Sequence, residues 1–189
     1  MNEKKKIAVF ASGSGSNFEA IAKACQQGRI NAEVVICVCD HPGAYVTERA
    51  KRLEIPVLEL KPKNFPSKAE YEKTILKELQ KHGVEFIALA GYMRIIGKTL
   101  LESFNGKIVN IHPSLLPAFP GVDAIGQAMK YGVKVFGVTV HYVDQTLEGG
   151  KIISQAAIPY EGDDRKELEP MVHAREHALY VSTLRSLLN

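Results

Sequence analysis

The densest chemistry in the sequence is the run Asn110-Ile111-His112-Pro113-Ser114-Leu115-Leu116-Pro117-Ala118-Phe119-Pro120-Gly121. Asn110 and His112 are two residues apart at the end of an apolar run, so on a strand their side chains share a face. A primary amide and a protonated imidazole side by side can both donate to an oxygen that becomes negative, as acyl transfer requires. Imidazole also moves protons at neutral pH. No Ser or Cys stands in a nucleophile elbow of the G-x-S-x-G type, so the attacking group belongs to the substrate and no covalent acyl-enzyme forms. Pro113 biases His112 toward extended backbone, and Pro117 and Pro120 restrict the loop that follows.

A second feature sits near the N-terminus. Ser12-Gly13-Ser14-Gly15-Ser16-Asn17 links a short apolar run to an amphipathic stretch. Glycines let the backbone turn sharply and approach a ligand, and the helix that follows offers unpaired N–H groups and a positive dipole end. Phosphate is the natural guest, with Gly15, Ser16 and Asn17 nearest to it. Ser16 or Asn17 could instead serve only as a helix cap. A dinucleotide site is the competing reading, because Asp40 ends the second strand where a ribose-binding acid belongs. Phe18 replaces the third glycine of that fingerprint, which favours a single phosphate. A nucleotide-binding oxidoreductase module therefore stands as an alternative function, although it leaves Asn110 and His112 without a role.

Alternating elements must position these groups. Strands are expected at 7–11, 34–39, 56–60, 86–90 and 107–111, with helices at 17–27, 44–53, 68–82 and 99–104 between them. Gly28 is placed to stop the first helix, and Ser67-Lys68-Ala69-Glu70 forms a capping box for the third. A helix at 124–131 follows, then strands at 135–143 and 152–158 joined through Gly149-Gly150. The C-terminal helix is expected from Pro170 to Asn189, with Pro170 in its first turn and a packed stripe of Met171, Ala174, Ala178, Val181, Leu184 and Leu188. The fold class is α/β. It is a single-domain, mostly parallel Rossmann-like sheet with helices on both faces and an antiparallel C-terminal extension. Residues 1–189 form one domain, with a phosphate-binding half over about 1–105 and a catalytic half over about 106–189.

Composition narrows the function classes. The 189 residues carry 24 Lys and Arg against 21 Asp and Glu, a net charge of +3. That is too little for a nucleic-acid-binding face and fits anionic small molecules. No apolar stretch is long enough for a membrane span, and the run after Lys4-Lys5-Lys6 is too short for a signal peptide. Three cysteines, Cys25, Cys37 and Cys39, do not make a disulfide framework. They read as buried thiols in a reducing compartment, so the cytoplasm is the expected location, with no metal and no permanently bound cofactor.

Four segments together resemble the 10-formyltetrahydrofolate-dependent formyltransferases. They are Val9-Phe10-Ala11-Ser12-Gly13-Ser14-Gly15-Ser16-Asn17, Leu89-Ala90-Gly91-Tyr92-Met93-Arg94, residues 110–121, and Gly137-Val138-Thr139-Val140-His141. Within that superfamily the chain is most similar to the branch that formylates glycinamide ribonucleotide in purine biosynthesis. The resemblance implies two small-molecule substrates, glycinamide ribonucleotide and 10-formyltetrahydrofolate as cosubstrate, in a monomer or homodimer. It implies that the substrate amine attacks the formyl carbon while Asn110 and protonated His112 hold the oxyanion. Gly15, Ser16 and Asn17 would cradle the phosphate, and Glu176 would bind the ribose or amine side. Met93, Arg94, Ile95 and Ile96 would enclose the pterin with Val143, Asp144 and their loop. Lys68 or Arg94 would meet the folate glutamate tail. A different formyl acceptor on the same fold is the alternative.

The sequence departs from that family at two places. The family's third catalytic residue is an aspartate before a glycine, where this chain has Glu148-Gly149. Glu148 would orient His112, steady its imidazolium and order a water for proton transfer, with Asp144 as the runner-up. Many relatives also carry a histidine where this chain has Asp123, which instead reads as the N-cap of the helix beginning at Ala124.

Overall fold

The computed structural model describes residues 3–189. Its elements are β1 (Lys5–Ala11), α1 (Ser16–Gln26), β2 (Ala32–Cys39), α2 (Tyr45–Arg52), β3 (Val57–Glu59), α3 (Lys68–Lys81), β4 (Phe86–Leu89), α4 (Lys98–Ser103), β5 (Ile108–His112), α5 (Ala124–Tyr131), β6 (Val135–Tyr142), β7 (Ile152–Pro159) and α6 (Arg165–Leu188). One seven-stranded sheet runs in the order β3-β2-β1-β4-β5-β6-β7. The first five strands are parallel, while β6 lies antiparallel to β5 and β7 antiparallel to β6.

Both faces of the sheet are covered, which is why its strands are nearly continuous apolar runs. On one face Phe18 and Ile21 of α1, Val46 and Ala50 of α2, and Tyr180 and Leu184 of α6 pack on alternate residues of β1, β2 and β4. On the other, Tyr71, Ile75 and Leu79 of α3 and Leu100 of α4 pack on Ala8, Phe10, Ile87 and Leu89. Ser67 caps α3 as its sequence implies, with Oγ accepting from the Glu70 N–H at 3.2 Å. Cys25, Cys37 and Cys39 are buried and free, and burial pushes the Cys37 thiol up to about 12. Among the described residues no helix is long and apolar enough to cross a membrane.

The C-terminal helix differs from the sequence expectation. It begins at Arg165, with Asp164 as N-cap accepting from the Lys166 N–H at 2.8 Å. Pro170 therefore lies beyond the first turn, where its missing N–H leaves the Lys166 carbonyl without its helical donor. The buried row is Leu168, Val172, Glu176, Tyr180, Leu184 and Leu188, whereas Met171, Ala174 and Ala178 face solvent. A helix expected only from Pro170 leaves out Leu168, and a purely apolar stripe leaves out Glu176 and Tyr180. Both have partners that permit burial. The Tyr180 hydroxyl lies 2.8 Å from the Leu89 carbonyl and 3.2 Å from that of Val109.

The order β3-β2-β1-β4-β5 reverses between β1 and β4, so the loops leaving their C-terminal ends diverge and open a crevice. The glycine loop follows β1, residues 90–97 follow β4, and Asn110 and His112 end β5 beside them. All three segments line one cleft of about 700 Å³, within the range of small-ligand sites.

Candidate active site

At one end of the cleft, Gly15 caps α1 in the left-handed region, at φ 75°, with no side-chain cap. Neither Ser16 nor Asn17 therefore plays the capping part that its position allowed. A side chain at Gly15 would overlap Val46 of α2, whereas nothing stands within 4 Å of the position a Cβ would take at Gly13. The first turn of α1 is thus left with its N–H groups aimed at an open, backbone-lined cradle. Asn17 turns away from the cap and donates through Nδ2 to Glu176 Oε2 at 3.2 Å. His173 Nδ1 lies 3.0 Å from the same oxygen, which raises the imidazole above its ordinary value. Glu176 is 6% exposed, with Oε2 doubly engaged and Oε1 left for a ligand. His173 carries no role in the sequence reading. It stands three residues before Glu176 on one helix face, and that spacing was the available signal.

At the other end, Asn110 and His112 do share a face. His112 is 4% exposed, and both ring nitrogens are engaged. Nε2 lies 2.9 Å from the Phe119 carbonyl oxygen, which can only accept, so Nε2 carries a hydrogen. Nδ1 lies 2.8 Å from Glu148 Oε1. The other Glu148 oxygen accepts from the Gly121 N–H at 2.7 Å. The extra methylene of Glu148 therefore still lets the carboxylate reach His112. Asp144 instead turns back on Thr146, accepting from its N–H and hydroxyl, and these bonds hold its carboxyl below the usual range.

The loop between these groups is tied down. Thr139, fully buried on β6, donates to the Ser114 carbonyl at 2.7 Å and accepts from the Leu116 N–H at 3.1 Å. Gln155 of β7 donates to the Leu116 carbonyl at 2.9 Å. Phe119, Asp123 and Glu148 are three of the four described non-glycine residues with positive φ, at 52°, 54° and 52°. Such backbone costs on the order of 1 kcal/mol per residue, and its concentration here marks a segment shaped for its contacts. Asp123 caps α5, accepting from the Gly126 N–H at 3.4 Å, and pairs with Arg165 at 2.8 Å.

Residues 92–97 form the wall opposite that loop. The Tyr92 hydroxyl meets that of Tyr71 at 2.9 Å, the Met93 N–H donates to Ser12 Oγ at 2.9 Å, and the Gly97 N–H donates to the buried Glu72 at 2.5 Å. Met93 and Ile95 expose apolar surface toward the opening, and Ile96 is buried behind them. Val143 and Asp144 line the cleft from the other side. Arg94 lines it too, but its Nε is committed to Asp40 at 3.0 Å. Lys68 stands apart from this cleft, in an adjoining groove with Lys63, His41 and Arg94.

Asp40 decides against the dinucleotide reading. Its carboxylate is 3% exposed and engaged by both Arg94 and His41, the latter at 3.0 Å. It has no free edge for a ribose hydroxyl.

The family model described as formyl transferase matches residues 5–184. The chain is 52% identical over 185 residues to the phosphoribosylglycinamide formyltransferase of Bacillus subtilis (strain 168), covering 97% of this chain and 95% of that one. Among solved structures, glycinamide ribonucleotide transformylase 1 from Geobacillus kaustophilus superposes with a TM-score of 0.95. Its identity is 54%, over 98% of this chain and all of that one. Phosphoribosylglycinamide formyltransferase from Bacillus halodurans also superposes with a TM-score of 0.95, at 50% identity over 98% and 96% of the two chains.

Proposed function

The chain belongs to the formyl transferase family, and on that premise we propose that it moves a formyl group from 10-formyltetrahydrofolate to the amine of glycinamide ribonucleotide, in de novo purine biosynthesis. One observation carries this reading. A histidine braced by a carboxylate stands beside an amide at the strand ends, across one cleft from an uncapped helix N-terminus. The first pair suits acyl chemistry, and the second suits a phosphate on the acceptor.

The substrate phosphate lies against the backbone N–H groups after Gly15, with Ser16 and Asn17 beside it. Glu176 Oε1 receives the ribose or amine end. The pterin enters between the wall of Met93, Arg94, Ile95 and Ile96 and the loop carrying Val143 and Asp144. The glutamate tail leads outward toward the free nitrogens of Arg94 and the groove of Lys68.

In the reaction the substrate amine attacks the formyl carbon, and the carbonyl electron pair moves onto its oxygen. Asn110 donates to that oxygen through Nδ2. With Nε2 held by Phe119, the hydrogen on His112 Nδ1 is the one left for the oxyanion, which it reaches by sharing with Glu148. The attacking nitrogen loses a proton and the folate nitrogen gains one, with Glu148 and an ordered water as the path. The bond from the formyl carbon to the folate nitrogen then breaks, and tetrahydrofolate leaves. No covalent enzyme intermediate or resident cofactor takes part.

Mixing purified protein with glycinamide ribonucleotide and 10-formyltetrahydrofolate should give the absorbance change of folate deformylation, with formylated product in equal amount. Turnover with another amine but none with this one would overturn the acceptor. The buried free thiols fit a cytoplasmic setting, where this chemistry would proceed.

A further inference from the structure

We propose that His141 is a positioning residue that sets which face of the Asn110 amide meets the formyl oxygen; the proposal rests on the reading of Asn110 as an oxyanion donor. The antiparallel register places Asn110 directly opposite His141 on β6. Cross-strand partners of this kind hold their side chains within contact range on one face of the sheet. His141 is 2% exposed and lines the cleft, yet the mechanism above gives it nothing to do.

Its hydrogen bonds assign its tautomer. Nδ1 lies 2.9 Å from the Tyr142 carbonyl oxygen, which accepts only, so Nδ1 carries the hydrogen. Nε2 lies 3.3 Å from Asn110 Nδ2. In a neutral ring Nε2 is then a lone pair, and the amide donates to it. Burial keeps the ring neutral by lowering its pKa. It outweighs the Tyr142 carbonyl, Glu148 and Asp144, which favour the charged form, and is helped by His112, which opposes it.

The consequence falls on Asn110. The terminal torsion of an asparagine is broad and nearly two-fold, so its own rotamer does not decide which way the amide points. The His141 lone pair does. It takes one N–H of Nδ2, fixes the nitrogen edge of the amide, and leaves the second N–H for the substrate oxygen. A protonated His141 would present a donor instead, draw Asn110 Oδ1 toward itself and turn the amide over. The two active-site histidines are thus oriented in opposite senses by two backbone carbonyls. Tyr142 leaves Nε2 of His141 as an acceptor, and Phe119 leaves Nδ1 of His112 facing Glu148.

Steady-state kinetics on a double-mutant cycle test this. His141→Leu should lower kcat about 10- to 100-fold, with KM for both substrates within about twofold. His141→Gln, whose side-chain oxygen can accept, should recover most of that loss. The double variant His141→Leu with Asn110→Ala should be no slower than Asn110→Ala alone, because His141 acts only through the amide. Losses that multiply, or a glutamine as slow as the leucine, would overturn the proposal. Nitrogen-15 NMR of the wild-type ring at pH 7 gives a second reading that needs no variant to fold. It should find Nδ1 protonated and Nε2 bare, and the reverse tautomer would overturn the assignment. Wild-type protein that fails to formylate glycinamide ribonucleotide would instead count against the acceptor, a result separate from either of these.

Discussion

At the phosphate end of the cleft the ligand would meet backbone. Gly13, Gly15 and the first turn of α1 present main-chain N–H groups, and the shape of the cradle depends on the lack of side chains. At the chemical end it would meet side chains. Asn110, His112 and Glu148 are each aimed by a partner from another segment: His141 of β6, Phe119 of the loop, and Gly121 beyond it. The parallel half supplies the first kind of site because a strand running into a helix exposes helix N–H groups by geometry alone. The second kind forms where the antiparallel strands join the parallel ones, because β6 returning beside β5 brings distant side chains opposite one another. On the proposed function binding and chemistry would be separable, and variants at the two ends should fail in different ways.

The largest effect is expected at the chemical end. His112→Ala should lower kcat by about 10³-fold, since it removes both the acid–base group and an oxyanion donor. Next comes Glu148→Gln. It keeps an acceptor for the Gly121 N–H but loses the carboxylate on His112, and kcat should fall by about 10²-fold with KM little changed. Both would be read by steady-state kinetics, and a kcat within threefold of wild type for Glu148→Gln would remove Glu148 from the chemistry.

The phosphate end should respond in the opposite sense. Gly15→Ala places a Cβ against Val46 at a left-handed residue, and this should cost on the order of 2–4 kcal/mol of stability. In the folded fraction it should raise KM for glycinamide ribonucleotide about tenfold while kcat stays within about threefold. Chemical denaturation and kinetics on the same sample separate the two effects.

The smallest effect concerns His173. Its bond to Glu176 raises its folded pKa above the ordinary 6.5. The sign is that of a group gaining a partner: its stabilisation is fully present below about pH 6.5 and is lost as pH rises through the raised value. The half-exposed ring makes the effect modest. His173→Gln should therefore reduce the drop in Tm between pH 6 and pH 9, with kcat unchanged. A drop in Tm identical to that of the wild type would show that the pair contributes nothing.

How much was legible in the sequence follows the same division. The glycine loop and the alternation of strands and helices are local patterns, and the structure matches their order, the parallel sheet and the antiparallel extension. Asn110 and His112 were legible as one face because strand periodicity is local too. The elements that went astray depend on tertiary packing. The stripe on α6 was misphased because Glu176 and Tyr180 are buried with partners on α1 and on the sheet, which periodicity cannot see. Asp40 reads as a ribose acid from its place in the sequence, whereas its bond to Arg94, 54 residues away, is set by the tertiary fold. His141 was visible as part of a motif, but its place opposite Asn110 depends on strand register. The Phe119 carbonyl and Gly121 N–H are backbone groups, which no pattern of residue types reveals.

The most direct test of the division is a calorimetric titration of glycinamide ribonucleotide into His112→Ala. The account predicts a Kd within about threefold of wild type in a protein whose kcat is lower by about 10³-fold, because the phosphate and ribose contacts lie at the other end of the cleft. Affinity that collapses together with turnover would contradict it, since His112 would then be holding the substrate that it is described as acting upon.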